Sequence, residues 1–216
     1  MPRLRWALSA GVGIDHEKDE SMTQTNQSGL TLPSSDELAS LPTRPRIAFA
    51  ARCARRALSL LTERFGQAAG EAVGVLDSVV KAVEDAGGGA DAEISLEDAR
   101  DLAMRVCLNA QDQMAESLTG ESPPVYAYTA DCADVAVYAI KTAITEDAKA
   151  SAKHACNAAL QSRQVAGTSA DGGEDLTRWA AALHATRNDF DRLFTDSERL
   201  GWVGSTCIKP EWFGDL

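Results

Sequence analysis

The segment from Arg46 to Phe65 is strongly amphipathic and constrains the fold more than any other part of the chain. Apolar residues recur along it at alternating spacings of four and three, which places them in one stripe on a helix: Ile47, Ala51, Ala54, Leu58, Leu61 and Phe65. Four further apolar residues widen the stripe: Phe49, Cys53, Ala57 and Leu60. The width predicts a helix that contacts more than one neighbour. Arg52, Arg55 and Arg56 are expected on the opposite, outer side of this helix.

Five further helices are predicted downstream from the 3.6-residue periodicity and from Gly, Pro and capping signals. They cover residues 71–86, 95–118, 125–145, 147–164 and a segment that begins near residue 174. No Gly or Pro separates the helices at 125–145 and 147–164, so these two are predicted either as separate helices or as one bent helix. Alanine dominates the apolar residues, aromatics make up only 6% of the chain, and β-branched runs are few. The sequence therefore predicts an all-α fold, a compact bundle of about six helices.

Three regions are expected along the chain. Residues 1–45 are predicted to be a flexible arm or linker, because their second half is rich in Ser, Thr and Pro and contains at most one helical turn. Residues 46–199 form the bundle, and residues 200–216 form an aromatic C-terminal strap that contains Trp202, Trp212 and Phe213. These aromatics either cross the bundle as a buried strap or project as an exposed anchor for a partner. A short apolar run near the start is interrupted by Gly and followed by charged residues, so an export signal is not predicted, and residues 1–21 are open to interpretation as an upstream extension of the reading frame.

The formal net charge is −11, although the segment from Arg46 to Phe65 carries five Arg and one Glu. An acidic body is repelled by phosphate backbones, so general nucleic-acid binding is not expected. No segment has the run of about 18 apolar residues that a membrane span needs. The five cysteines are an odd number without a Cys-x-x-Cys spacing, which is typical of reduced thiols in a cytoplasmic protein.

An Arg- and Cys-containing helix, Ala-rich middle helices and an aromatic ending occur here in that order. Taken together, these three features resemble those of an uncharacterised group of bacterial Ala-rich helical proteins. The pattern of that group is Phe-Ala-x-x-Cys-x-Arg-Arg followed by a Pro-x-Trp tail, and the matching residues are Phe49, Ala50, Cys53, Arg55, Arg56, Pro210 and Trp212. The resemblance covers a small part of the chain and implies no activity.

Motifs for metal, phosphate or nucleophilic chemistry are missing from the sequence. There is no His-Glu-x-x-His, no Gly-x-x-x-x-Gly-Lys-Ser/Thr and no Gly-x-Ser-x-Gly. His154 and Cys156 are two residues apart, so on a helix they point to different sides and make a poor pair of metal ligands. Neither a metal nor a cofactor is therefore predicted.

Two hypotheses about function follow, and the first is preferred. It is a non-enzymatic protein-binding module, an adaptor or an immunity-type partner protein, whose partner contacts come from the arginines Arg52, Arg55 and Arg56 and the terminal aromatics. The second is an enzyme or small-ligand-binding protein with an inter-helix pocket, and its candidate residues are Asp131, Tyr138 and His154. Convergence of these three side chains on one cavity would favour the second.

The three arginines of the first hypothesis have two interpretations of their own. They either form a basic docking patch or pair internally with acidic residues of the helix at 95–118, for which the candidates are Glu97, Asp98 and Asp101.

Overall fold

The computed structural model describes residues 30–116, 124–169, 171 and 173–214. These residues form eight α-helices and no strand: α1 (Ser35–Ser40), α2 (Thr43–Phe65), α3 (Gly70–Gly88), α4 (Leu96–Glu116), α5 (Pro124–Ile144), α6 (Ala148–Gly167), α7 (Leu176–Leu200) and α8 (Glu211–Gly214). Helices α2 to α7 each have 19 residues or more and pack together. The predicted all-α bundle is thus confirmed.

Helix α1 lies within the region that was predicted as a flexible arm. The Ser34 hydroxyl accepts a hydrogen bond from the Glu37 amide, and the Glu37 carboxylate accepts one from the Ser34 amide, which is a complete capping box. Leu38 and Leu41 are buried in the core. The boundary expected between residues 45 and 46 falls inside α2, so the packed part of the chain begins earlier than the sequence predicted.

Helix α2 lies at the centre of the bundle and contacts α3, α5, α6 and α7. Its alanines leave room for close neighbours, and side chains from two helices reach its backbone. Ser162 of α6 donates a hydrogen bond to the Cys53 carbonyl over 2.9 Å, and Cys132 of α5 lies 3.3 Å from the Ala57 carbonyl. The prediction that α2 touches several neighbours is confirmed. The prediction that Arg52 faces outward is wrong, because a helix with neighbours on several sides has little outer face, and Arg52 is 6% exposed.

Arg46 is 2% exposed and is the largest fully buried side chain of the described residues. Its Nε atom donates to the Ser151 hydroxyl over 3.0 Å, and its Nη1 atom donates to the Leu41 carbonyl over 3.3 Å. The Ser151 hydroxyl donates in turn to the Thr142 carbonyl near the end of α5. Burial lowers the pKa of Arg46, while Asp147 acts in the opposite direction. The guanidinium thereby joins the α1–α2 turn to α6, close to the negative end of the α5 dipole.

The predicted helix boundaries agree closely with those observed. Gly89, in the left-handed region at φ 74°, ends α3, where the sequence placed a glycine stop. Helices α5 and α6 are separate, because residues 145–147 are not helical and the Asp147 side chain caps α6 through the Ala150 amide. The predicted break near residues 119–124 lies almost wholly outside the described residues. Pro124 is the first residue of α5, where a missing amide hydrogen costs nothing.

The C-terminal segment returns across α2 and α3. The Ile208 amide donates to the Gly87 carbonyl over 3.3 Å, and Ile208 is buried. The chain then forms the single turn α8, which periodicity did not predict. Trp212 of this turn is 5% exposed, whereas Trp202 and Phe213 are half-buried against the core. Trp212 therefore belongs to a buried strap and is not an exposed anchor.

No helix among the described residues is long and apolar enough to cross a membrane.

The five cysteines are free and differ in exposure. Cys53, Cys107 and Cys132 are buried, Cys156 is intermediate and Cys207 is exposed. Burial raises the pKa of Cys53 to about 11 and contributes most to raising that of Cys107 to about 12. We expect Cys207 to react first with a thiol reagent in the folded protein, and Cys207→Ser to remove the fast phase alone. Rapid modification of all five thiols without denaturant would contradict the core assignment.

Candidate docking groove

An open groove of about 590 Å³ lies between α2 and α7. Helix α7 packs along α6 and touches α2 less extensively, which leaves the gap. Three of the six lining residues on α7 have small side chains, Ala181, Ala182 and Ala185, and the other three are Arg178, Asn188 and Asp189. The α2 wall is larger and more polar, and its residues are Arg52, Arg56, Ser59, Leu60 and Glu63. Because the alanine side chains are short, the backbone of a bound segment could approach α7 closely at these positions. The polar side chains of α2 could contact the same segment from the other side.

Asp189 of α7 joins two arginines of α2 at this groove. Its Oδ2 atom lies 3.1 Å from the Arg52 Nε atom and also forms an ion pair with Arg56. Side-chain exposure is 11% for Asp189, 7% for Arg52 and 13% for Arg56. All three charges are largely buried. Removing one of them is therefore expected to lower the free energy of unfolding more than removing a charge on the surface.

Arg52 is also held by the C-terminal strap. Its guanidinium donates to the Trp212 carbonyl oxygen, and its Cζ atom lies 4.9 Å from the centroid of the Trp212 ring. Arg192 stacks on the same ring at 4.7 Å. The strap therefore fixes the position of one arginine in the groove wall.

Arg56 is the more accessible of the two buried arginines. Burial lowers its pKa, and the like charge of Arg52 lowers it further, while Cys53 acts in the opposite direction. Its remaining contacts are long, with 3.4 Å to both the Thr186 hydroxyl and the Ala185 carbonyl. An additional carboxylate in the groove would relieve these costs on the guanidinium.

Arg178 and Glu63 face each other across the groove. Two hydrogen bonds of 2.8 and 3.2 Å join them, and both side chains are well exposed, at 42% and 57%. With Arg52, Arg56 and Asp189, they are the charged residues of the lining, which carries a formal charge of +1. The whole chain carries −11. The groove is thus positive in an acidic protein.

Arg55 does not belong to this groove. It pairs with Glu84 over 2.8 Å and also with Asp77, both on α3. Its hydrogen bonds to Glu84 are the largest cause of its raised pKa, while burial acts in the opposite direction. Each of the three arginines therefore pairs with a carboxylate of this chain.

The acidic partners predicted for these arginines are wrong. The partners are Asp77 and Glu84 of α3 for Arg55, and Asp189 of α7 for the other two. Of the candidates in the helix at 95–118, Asp98 bonds to Ser95 and Asp101 to Arg100.

The residues proposed for the alternative pocket, Asp131, Tyr138 and His154, lie at two separate sites. Tyr138 and His154 stack with ring centroids 6.4 Å apart between α5 and α6. Asp131 lies on α5 within electrostatic range of Asp134 and of Cys107 on α4, and burial together with Asp134 raises its pKa to about 6. None of the three lines the groove or the other clefts found among the described residues. The convergence on one cavity that would favour the second hypothesis is not seen in these clefts.

Among the described residues, no group of three or more His, Cys, Asp or Glu side chains is arranged so that it could hold a metal ion.

Sequence reasoning missed most of the groove. Asp189, Ala181 and Ala182 were not among the candidate site residues that the sequence suggested. The sequence contains a signal for this site, which is a run of alanines that ends at Ala182 and is followed seven positions later by Asp189 on the same helix. This signal indicates a groove only once α2 is known to lie opposite α7.

Comparison with known proteins gives no assignment. No protein-family model, no curated protein and no solved structure matches this chain. The resemblance to Ala-rich bacterial proteins stays a prediction.

Proposed function

We propose that the protein is a non-enzymatic protein-binding module that receives an acidic segment of a partner protein in the groove between α2 and α7. The observation that carries the proposal is the positive lining of this groove in a chain of net charge −11. Opposite charge favours encounter with an acidic segment and disfavours basic ones.

The groove offers both kinds of contact that such a segment needs. Apolar side chains of the segment would pack on Leu60 and the α7 alanines, as in helix-in-groove recognition. Its carboxylates would pair with Arg56 and Arg178. Arg178 can exchange partners at little cost, because its exposed pair with Glu63 contributes only about 0 to 1 kcal/mol.

A matched pair of variants tests the role of charge. Ala182→Glu and Ala182→Gln place side chains of equal size in the groove, on a helix that tolerates both. We expect a fluorescein-labelled helical peptide of Glu, Ala and Leu to bind the Ala182→Glu variant about tenfold more weakly than the Ala182→Gln variant. Fluorescence anisotropy measures both affinities, and the difference should shrink as salt is added.

A peptide with Lys in place of Glu is the control and should bind wild type more weakly than the Glu peptide. Equal affinity of the two peptides for wild type, or equal affinity of the Glu peptide for the two variants, would refute an acidic occupant. Failure of the Glu peptide to bind wild type would count against the groove as a docking site.

A further inference from the structure

A second cavity, of about 620 Å³, lies where α6 ends and α7 begins. It is lined by Leu160, Arg163, Gln164, Gly167, Thr168, Glu174, Leu176 and Trp179. The lining combines one cation, one aromatic ring and two large aliphatic side chains.

Arg163 is the unusual member of this lining. Its Cζ atom lies 4.5 Å from the centroid of the Trp179 ring, so the guanidinium stacks on the indole. Its Nε atom is buried without a hydrogen-bond partner, and no carboxylate of the described residues forms an ion pair with it. Burial lowers the pKa of Arg163. No carboxylate of the described residues balances the charge of this guanidinium, and an anionic ligand in the cavity would do so.

Trp179 is held in place by the end of α6. A Cβ atom added to Gly167 would lie 2.8 Å from the Trp179 Cδ1 atom, closer than such atoms come in proteins. Glycine at this position therefore allows the indole to pack on the helix end. The Trp179 ring and the Arg163 guanidinium stacked on it form one side of the cavity.

The aliphatic residues of the lining are more exposed than large apolar side chains usually are. Leu160 is 41% exposed and Leu176 is 70% exposed. An apolar group placed against them would bury this surface, which is favourable. The Glu174 carboxylate also lines the cavity and would repel a second negative charge.

We propose that this cavity binds a monoanionic organic carboxylate with an apolar body. The carboxylate pairs with the Arg163 guanidinium, whose planar donors match its two oxygens. The apolar body lies against Leu160 and Leu176. A doubly charged phosphate fits less well, because Arg163 is the one cation among the described lining residues and Glu174 would repel the second charge.

Isothermal titration calorimetry with three eight-carbon probes tests the head group. Octanoate should bind at least about tenfold more tightly than octanol or octylamine, because only the carboxylate makes charge-assisted hydrogen bonds to Arg163. Equal binding of the three probes, or no binding of octanoate, would overturn the proposal.

Two substitutions in the cavity and one control substitution outside it locate the binding. Arg163→Gln should weaken octanoate at least about tenfold, whereas the matched change Arg178→Gln, in the groove between α2 and α7, should alter it less than about twofold. Glu174→Gln should tighten octanoate, because a repelling charge at the cavity is removed. Thermal melting of each variant checks folding, and Glu174→Gln keeps the test valid if Arg163→Gln unfolds. Equal effects of Arg163→Gln and Arg178→Gln, or weaker binding to Glu174→Gln, would refute the assignment.

Discussion

Replacing Asp189 with Asn is expected to lower the free energy of unfolding by about 3 to 5 kcal/mol. The change removes the carboxylate that contacts both Arg52 and Arg56, and all three side chains are nearly buried. Arg56 is then left with two long hydrogen bonds to neutral oxygens. Both guanidinium groups are largely shielded from solvent, so water from the groove replaces only part of the interaction that they lose, and the loss is large. Urea denaturation followed by circular dichroism measures it.

Asp191→Asn is the matched control. Asp191 lies on the same helix, is 53% exposed and pairs with Arg187 over 3.0 Å. An exposed pair of this kind contributes about 0 to 1 kcal/mol, so the control should be nearly neutral. If Asp189→Asn were as mild as Asp191→Asn, the arginines would not depend on the buried pair, and the groove wall described above would be wrong.

Leu58→Ala is expected to lower the free energy of unfolding by about 2 to 5 kcal/mol. Leu58 is 5% exposed in the central helix α2, and Ala54 and Ala57 beside it are too small to fill the space that it would leave. A loss of this size threatens a domain whose total stability is about 5 to 15 kcal/mol. Urea denaturation is again the measurement.

Leu108→Ala provides the comparison for this change, because Leu108 is 54% exposed on α4. The same atoms are removed from a surface site, where the effect should be within about 0.5 kcal/mol. Similar effects of the two substitutions would mean that α2 does not face the core through the stripe that contains Leu58.

The helices could be predicted because their signals are local. The α2 stripe, the Ser95 cap of α4 and the glycine that ends α3 all lie within the segments that they define. The periodicity of α2 correctly placed Ile47 and Leu58 in the core.

The fate of the charged residues of α2 could not be predicted in the same way. Arg52 meets Asp189, which is 137 positions away along the chain, and Arg46 meets Ser151, which is 105 positions away. Their burial depends on which helices surround α2, and periodicity within one segment contains no such information. Arg52 and Arg56 were therefore predicted to face outward. They can be buried because a carboxylate on a neighbouring helix pairs with them.

The groove and the single turn α8 were missed for related reasons. The alanines of α7 line an open gap because α7 packs on α6 and diverges from α2, which is a property of three helices together. Trp212 is buried because Arg52 and Arg192 stack on its ring from distant parts of the chain. Four residues are too few for a periodic signal.

Site-specific photo-crosslinking in the producing cell tests the docking groove most directly. A photoreactive amino acid is placed at Ser59, which is exposed in the groove, or at Leu108 on the outer face of α4. The account predicts a protein adduct from Ser59 and none from Leu108. The adduct should be lost when Ala182 is changed to Glu and kept when it is changed to Gln, and mass spectrometry should place the crosslink in an acidic segment of the partner. An adduct from Leu108 alone, or an adduct from Ser59 that survives Ala182→Glu, would contradict the assignment of the groove between α2 and α7 as the docking site.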